Sequence, residues 1–308
     1  MDNLKESLAA TFNGISQVTF LEKPWFGFMI FVGFLFADVY TAIGVLIASF
    51  ISYLIATVLY DKNFAVSGLA AFNSVLLVLM VEAFLGGFAS LFLVIPATMI
   101  CMLVQHILKV LLAKINLVPF ALPTVFSTYL MLLFDNIWPG VFFTDKLLFR
   151  FTVLFDTLNF SIGNHFLLSG GDLYLQASVV FSIILLIGFF VFEKEYIIYL
   201  LASYFFSLAI FYVLGFFFNV DPMGFTTFNI LLGMMALRAF GLMPMNKYLI
   251  LKLFLVTLAV IVVKFGLDYL LGLVGLPSIV LPFIVVVDAV LIYKNIKESS
   301  SSLDKKIA

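Results

Sequence analysis

Side chains that could support catalysis are few in this 308-residue chain. It has two histidines, His106 and His165, and one cysteine, Cys101. Two imidazoles cannot supply a three-histidine metal site, and the sequence shows no metalloprotease, hydrolase-elbow or phosphate-loop motif. A single cysteine excludes a disulfide framework and a thiolate metal site. The residue types therefore predict a protein that is not an enzyme and that uses no metal and no cofactor.

Neutral polar and aromatic side chains supply the remaining chemistry. Gln17 and Asn164 each lie in a short apolar segment, and both can accept hydrogen bonds through an amide oxygen. Phe72 and Phe228 belong to two related phrases, Gly-Leu-Ala-Ala-Phe-Asn and Gly-Phe-Thr-Thr-Phe-Asn, spaced 156 residues apart. In both phrases a Leu follows the Phe at i+4, so the two side chains share one helix face. Rings beside neutral acceptors suit a small, flat, neutral solute, because an ion would lose its hydration there.

Charged side chains at membrane depth are rare, which bears on whether transport could be coupled to an ion. Proton- or ion-coupled carriers usually place acids near the transport site. Glu82 is a candidate for such an acid, although it lies close to one end of its apolar segment. Lys264 and Asp268 are four residues apart on one predicted helix and are expected to pair with each other.

The overall composition identifies the environment in which these residues act. Hydrophobic residues make up 64% of the chain, charged residues 11%, and the mean hydropathy is +1.23. A soluble protein of this size cannot bury so much apolar surface, so the chain is predicted to be an integral membrane protein whose partner is the lipid bilayer. It has no basic stripe, and we expect no nucleic-acid partner.

Hydropathy divides the chain into segments that could cross a bilayer, which takes about 20 residues of helix. Ten predicted spans lie at 25–38, 40–60, 68–86, 88–112, 117–135, 173–192, 196–218, 223–241, 248–270 and 276–294. Two shorter apolar pieces, about 4–20 and 152–168, end in turn residues and are predicted to be re-entrant half-helices. The predicted fold is thus an all-α integral membrane protein with ten transmembrane helices and two half-helices.

Each half of the chain would contain one half-helix and five spans. An odd number of crossings places the second half upside down relative to the first, which predicts two inverted-topology repeats, 1–135 and 152–294. The polar segment 136–151 would link them, and the serine-containing tail 295–308 is predicted to be cytoplasmic and solvated or disordered. Inverted repeats with broken helices are a known way to build a substrate path near the membrane midplane.

The basic residues test this topology, because Lys and Arg accumulate in cytoplasmic loops. Of 16 basic residues, all but Lys146, Arg150 and Lys264 fall on the side that holds both termini. We therefore expect a multi-pass protein of the plasma (inner) membrane with both termini cytoplasmic.

At the level of motifs, the chain resembles the urea transporter family over nearly its whole length. Residues 14–20 read Gly-Ile-Ser-Gln-Val-Thr-Phe and resemble the family's Gly-x-x-Gln-Val-x-Phe half-helix. Residues 276–283 match the family's Leu-Pro-x-x-Thr-x-Pro-Phe signature except at Thr, and 117–124 match it less well. The two Phe-Asn phrases resemble the third-span motif of each half.

This resemblance implies a homotrimer whose protomers each carry a pore for facilitated urea passage without ion coupling. It also implies roles for particular side chains. Gln17 would accept an N–H of the solute, and the rings of Phe20, Phe72 and Phe228 would form stacking walls. Two leucines would narrow the centre of the slot: Leu76 and Leu232.

Departures from the family pattern fall at its polar positions. The second half-helix has Asn164, followed by His165, where family members usually place Glu, so the acceptor loses the charge that strengthens such a bond. The signature threonines are replaced by Ala121 and Val280. Backbone carbonyls beside the prolines could still serve as acceptors.

Two alternatives to a urea channel follow from these departures. The same fold could pass another small neutral solute, such as ammonia, a short amide or water. A protein of a different class, a non-conducting membrane scaffold, could also retain a duplicated fold. Gln17 and Asn164 argue against the scaffold, because an idle pore has no need for polar groups at matching half-helix positions.

Overall fold

A computed structural model of the protein describes residues 2–85, 88–114, 117–137, 173–176, 178–218 and 224–307. Every regular element in these ranges is a helix. In chain order they are α1 (Asp2–Ser16), a 3-10 turn (Gln17–Thr19), α2 (Pro24–Ala37), α3 (Val39–Leu59), α4 (Lys62–Val66), α5 (Phe72–Leu85), α6 (Phe88–Ala113), α7 (Leu122–Ile137), α8 (Val179–Phe192), α9 (Glu195–Phe218), α10 (Gly224–Ala239), α11 (Leu249–Gly272) and α12 (Leu281–Ile307).

Several of these helices have the length and polarity of membrane spans. In the described ranges, four are long and apolar enough to cross a bilayer: Val39–Leu59, Ser90–Ala113, Glu195–Val213 and Leu249–Gly272. A fifth candidate is a bent pair, and shorter apolar helices occupy Phe72–Glu82, Leu122–Leu133 and Val179–Phe192. The predicted all-α membrane fold is thereby confirmed, while the number of ten spans stays a prediction. The predicted second half-helix, 152–168, lies outside the described residues.

The bent pair corresponds to the first predicted half-helix and the span after it. The segments Asn3–Thr19 and Pro24–Ala37 meet at an angle of 78°. Phe20 adopts a left-handed backbone conformation (φ 58°) that ends the 3-10 turn, and Pro24 begins α2, where its missing N–H costs no helical bond. The sharp bend stops α1 before it could cross a membrane, as expected of a half-helix.

Four helices begin later than hydropathy predicted: α5, α7, α8 and α12. Helix α8 starts at Val179 rather than 173, after a turn at 173–175 and the N-cap Ser178. α5 starts at Phe72 rather than near 68, because Gly68 has φ +80° and its Cα lies so close to α1 that a Cβ would be 2.3 Å from the Gly14 nitrogen. α7 and α12 start at Leu122 and Leu281, each directly before a proline in the first turn. Apolar residues at 117–121 and 276–280 are therefore turn rather than helix.

The C-terminal tail also differs from the prediction. Helix α12 runs through the serine run and ends at Ile307, whereas composition predicted a disordered tail. Extending an existing helix avoids the cost of nucleating a new one, so a polar stretch with adequate helix propensity can follow a membrane span as helix. The disordered alternative was wrong for this reason, while a solvated cytoplasmic tail stays a prediction.

Helices α5 and α10 form the centre of the described structure. Residues 70–82 and 226–237 are buried without interruption, whereas α3, α6, α9 and α11 each expose one apolar face. A helix that is buried all round must be enclosed by other helices, and an exposed apolar face suits lipid. The phrases that carry Phe72 and Phe228 thus lie on the two innermost helices.

The two halves meet where α2 crosses α8. Gly33 of α2 lies against the ring of Phe181, and Gly188 of α8 lies against the ring of Phe26, a reciprocal pattern at a constant offset of 155 residues. Phe34 and Phe189, also 155 apart, stack on the same two rings at centroid distances of 4.9 and 5.5 Å. Reciprocal contacts of this kind are what a two-fold relation between the two helices would produce.

Candidate functional site

The end of the broken helix α1 is held by side chains that satisfy its free carbonyls. The Ser16 hydroxyl donates to the carbonyl of Leu21 (2.6 Å), and the Thr19 hydroxyl donates to that of Ser16 (2.7 Å). Tyr174, in the second half, donates its hydroxyl to the Ile15 carbonyl at 3.1 Å. A helix that ends inside a membrane protein leaves carbonyls without partners, so these bonds make the break tolerable.

Gln17 begins the 3-10 turn at this break and is only 5% exposed. Its Nε2 donates to the Ser67 carbonyl at 2.9 Å, in the turn that precedes α5. Because a carbonyl can only accept, this bond fixes which end of the amide faces Ser67 and directs Oε1 the other way. No described residue donates to Oε1, so Gln17 presents an oriented acceptor.

The predicted ring wall of the first half is present as a direct contact. The Phe20 and Phe72 rings pack with centroids 5.4 Å apart and planes tilted by 39°. Stacking a flat molecule between two rings needs about 3.5 Å on each side, so nothing fits between these two. They form one continuous aromatic surface next to Gln17. Leu76, one turn along α5, is fully buried on the same face.

The second half contributes α10 to the same region. The Gln17–Thr19 turn packs on both α5 and α10, which brings the Phe72 helix and the Phe228 helix together at the break between α1 and α2. Phe228 and Leu232 are buried, at positions equivalent to Phe72 and Leu76. The remaining predicted residues of this half, Asn164 and His165, lie outside the described residues.

The asparagine of each Phe-Asn phrase forms hydrogen bonds with the turn at the start of a later helix, α7 or α12. Asn73 donates Nδ2 to the Phe120 carbonyl at 2.8 Å, and its Oδ1 accepts from the backbone N–H of Thr124 at 3.4 Å. Asn229 donates Nδ2 to the Ile279 carbonyl at 2.8 Å, and its Oδ1 accepts from the backbone N–H of Phe283 at 3.3 Å. Each amide therefore brackets the four residues that begin a helix, α7 or α12, in the same way.

Ala121 and Val280, the positions that replace the signature threonines, each follow a left-handed residue. Phe120 has φ 40° and Ile279 has φ 49°, and both replacement side chains are fully buried. The neighbouring carbonyls are engaged within the protein: Pro119 accepts from the Leu122 N–H. Pro277 accepts from the hydroxyl of Tyr129 at 2.6 Å. A carbonyl has two lone pairs, so these groups keep one acceptor site each beside an apolar side chain.

Sequence reasoning missed several residues that position this site. Ser67 orients Gln17 and Tyr174 holds the end of α1, and neither lies in a recognised phrase. Thr124 also bonds Asn73, through its hydroxyl at 2.9 Å, and Gln105 accepts from the Asn73 amide at 3.2 Å. For Thr124 a signal existed, since a hydroxyl one turn past a helix start in an apolar span must find an internal partner.

Most charged groups stand apart from these residues, but Asp268 accepts from the hydroxyl of Ser278, two residues before Val280. In the described ranges the ion pairs are Glu6–Lys62 (2.8 Å), Glu195–Arg238 (2.5 Å) and Asp268–Lys264 (2.5 Å), and the last confirms the predicted local pair. The described residues contain no group of three or more His, Cys, Asp or Glu side chains that could hold a metal ion. The geometry offers rings, oriented amides and carbonyls, which is chemistry for binding a neutral polar solute.

Comparison with known proteins adds one finding to this geometry. A family model described as urea transporter matches residues 8–295, which is nearly the whole chain. A search of curated proteins gives no match. The matched range includes both Phe-Asn phrases, the break at Gln17 and the helix starts at Leu122 and Leu281.

Proposed function

This chain belongs to the urea transporter family, and we propose that it is a passive, channel-type route for urea across the membrane. Members of that family are transporters rather than enzymes, so the chain is a multi-pass membrane transport protein. The observation that carries the proposal is the oriented acceptor of Gln17 beside the Phe20–Phe72 ring surface.

Urea is planar, with one carbonyl and two amino groups. In the proposed slot an N–H of urea donates to the Gln17 Oε1 while the urea plane lies on the Phe20–Phe72 surface. Because those two rings touch, the opposite wall comes from the second half, and Phe228 is the residue we assign to it. Leu76 and Leu232 narrow the centre between the two polar ends.

The second polar end is assigned to Asn164, with His165 beside it. Asn164 is 147 residues after Gln17 and lies in the segment that we propose as the second half-helix. An amide there accepts an N–H as Gln17 does, without the charge of a carboxylate. Ala121 and Val280 leave the centre without hydroxyls, so recognition falls to the two ends of the slot.

The architecture proposed for this pore is two inverted-topology repeats, 1–135 and 152–294, with the linker 136–151 and the tail 295–308. Two observations support it: the reciprocal Gly–Phe contacts of α2 and α8, and the equivalent brackets made by Asn73 and Asn229. We further propose a homotrimer in the plasma (inner) membrane with both termini cytoplasmic.

A passive mechanism is proposed because the side chains assigned to the slot are neutral. Coupling to an ion gradient would need a charged group that changes its contacts with the solute. Gln17, Phe20, Phe72 and Phe228 provide none. Transport should then follow the urea gradient and be independent of the membrane potential.

The proposal is tested by stopped-flow light scattering of proteoliposomes, with urea, formamide, acetamide or glycerol as the osmolyte. We expect urea to enter faster than glycerol, which is not flat and has no N–H donors. Equal entry of urea and glycerol would contradict a slot for a planar solute, and entry of neither above protein-free vesicles would favour the scaffold. Faster entry of an amide than of urea would make the amide the preferred solute.

A further inference from the structure

Glu82 is a buried acid that the proposed urea slot does not use. It lies in the last turn of α5 and is 5% exposed. Neither carboxyl oxygen has a hydrogen-bond partner among the described residues. Gly44 of α3 makes room for it, since a Cβ at that glycine would lie 3.1 Å from Oε1, beside Val78 and Val94. The carboxyl is therefore enclosed by apolar side chains inside the helix bundle.

Among the residues that the structure describes, the groups that face Glu82 do not include a counter-ion. From α3, Asp38 is another acid, and its carboxylate caps that helix by accepting from the Thr41 N–H at 2.8 Å. From α6, the uncharged hydroxyl of Ser90 faces it, while His106 and Lys109 lie at the other end of that helix. Two further packed helices carry titratable residues. Helix α7 has Tyr129 and Asp135, the latter with a side chain outside the described part, and α1 has Asp2, Lys5 and Glu6, of which Glu6 pairs with Lys62.

The second half of the chain has a charged residue with a counter-ion at the position equivalent to Glu82. Arg238 follows Asn229 by nine residues, as Glu82 follows Asn73, so the two occupy equivalent places on α5 and α10. Arg238 pairs with Glu195 at the start of α9, with Nε 2.5 Å from the carboxylate. Among the described residues, the same scaffold thus gives Arg238 a counter-ion in the second half and leaves the acid Glu82 without a counter-ion in the first half.

Buried hydroxyls on the helices around Glu82 repeat this asymmetry. Ser74, Thr98 and Ser127 lie on α5, α6 and α7 and are fully buried, and the Ser74 and Ser127 hydroxyls face the thiol of Cys101. At offsets of 156, 159 and 159 residues the second half has Ile230, Thr257 and Val286. The Thr257 hydroxyl is satisfied by the Leu253 carbonyl at 2.9 Å. Packing of this scaffold therefore does not require polar groups at these places.

We propose that Glu82 is an exchangeable proton-binding site beside the hydroxyl of Ser90, and that its protonation controls transport. An ionised carboxylate here would face the hydroxyl of Ser90 but no counter-ion among the described residues, which is costly inside a membrane protein. The apolar packing of Gly44, Val78 and Val94 around the carboxyl therefore corresponds to the protonated, neutral form of Glu82. A sodium ion is disfavoured, because it would need several oxygen ligands, whereas Val78, Val94 and Gly44 surround the carboxyl.

Loss of the proton acts on the slot through the helix that both share. Phe72 and Leu76 lie one to three turns from Glu82 on α5, and a new charge draws the end of that helix toward water. We expect urea flux to fall severalfold as pH rises, because the wall residues move with α5. This consequence depends on the proposed function, whereas the proton site itself does not.

Two measurements test the proposal on the full-length protein in vesicles. Infrared difference spectra between acid and alkaline buffer should show a protonated carboxyl band that is lost in Glu82→Gln. Urea flux should depend on pH in the native protein and become independent of pH, at the low-pH rate, in Glu82→Gln. The exposed acid Glu22 provides the matched control: Glu22→Gln should keep both the band and the pH dependence.

Each outcome is decisive for one of the two proposals. A band without urea flux at any pH would leave the proton site in place and remove the proposed function. Flux independent of pH in the native protein overturns the control of transport, and a band that persists in Glu82→Gln overturns the site. Sodium that replaces the proton effect at constant pH would overturn the proposal in favour of a cation site. If Glu82→Gln does not fold, Glu82→Asp serves instead. If the pH dependence of the urea flux and of the carboxyl band in Glu82→Asp is the same as in the native protein, Glu82 is excluded as the site.

Discussion

Replacing Gly188 by Ala is expected to destabilise the protein by overpacking the junction of α2 and α8. The new Cβ would lie 2.4 Å from Cε2 and 2.7 Å from Cδ2 of Phe26. Carbon atoms in contact prefer a separation of about 3.5–4.0 Å, so the ring would have to withdraw by about 1 Å. Phe26 cannot swing aside freely, because it is fully buried between the rings of Phe189 (5.5 Å) and Phe192 (5.8 Å).

The magnitude follows from two opposing effects. Overpacking of this kind typically costs about 1–3 kcal/mol, and Ala in place of a helical Gly returns about 1 kcal/mol. We expect Gly188→Ala to lose up to about 2 kcal/mol of stability relative to the native protein, and about 1–3 kcal/mol relative to a Gly→Ala change at an open helical position. The equivalent Gly33→Ala should lose less, because its Cβ would be 2.9 Å from Phe181 and the ring need move only about half as far.

The assay is the apparent melting temperature of the detergent-solubilised protein, read from the surviving size-exclusion peak after heating. Gly266→Ala is the matched control, since a Cβ at this α11 position would meet nothing within 4 Å. It should leave the melting temperature unchanged or raise it. Adding Phe26→Leu to Gly188→Ala should recover part of the loss by making room. A Gly188→Ala protein as stable as the Gly266→Ala control would refute the contact between the two halves.

Three further predictions concern the brackets, the slot centre and the topology. Asn73→Ala should cost about 2–3 kcal/mol of stability, because it leaves the Phe120 carbonyl and the Thr124 N–H without their partner. The control Asn63→Ala, at an exposed position, should cost almost nothing. Equal melting temperatures of the two variants would contradict the role of Asn73. Ala121→Thr combined with Val280→Thr should raise urea flux in vesicles by restoring central hydroxyls, and unchanged flux from a folded protein would place these residues outside the slot. A cysteine introduced by Ser301→Cys should stay unlabelled by an impermeant thiol reagent in intact cells, and rapid labelling from outside would reverse the proposed topology.

The fold was accessible from sequence where the physical signal is strong. Hydropathy located α2, α3, α6, α9, α10 and α11 to within a few residues, because apolar length is what a bilayer selects. It misplaced the starts of α5, α7, α8 and α12, since a hydropathy scale does not distinguish apolar turns such as 117–121 from helix. Only the backbone shows that Phe120 and Ile279 are left-handed.

The site was predictable in its residue types but not in its contacts. The repeated Phe-Asn phrases drew attention to Asn73 and Asn229, and the structure shows that their hydrogen bonds hold helices together. That Gln17 is oriented by the carbonyl of Ser67 could not be foreseen, because 50 residues separate them and a backbone acceptor has no sequence signature. The contact between Phe20 and Phe72 likewise depends on the left-handed turn at Phe20, which no residue type near it demands.

Urea flux through Gln17→Leu, measured by stopped flow in reconstituted vesicles, tests the central claim most directly. Leucine keeps the approximate volume of the side chain and removes the amide oxygen of Gln17, the acceptor that we assign to the solute. Folding is checked by size exclusion, and Thr57→Val, an exposed loss of a hydroxyl on α3, controls for reconstitution. We predict near-complete loss of urea flux in Gln17→Leu and native flux in Thr57→Val. Native flux through a well-folded Gln17→Leu protein would contradict the assignment of the solute site.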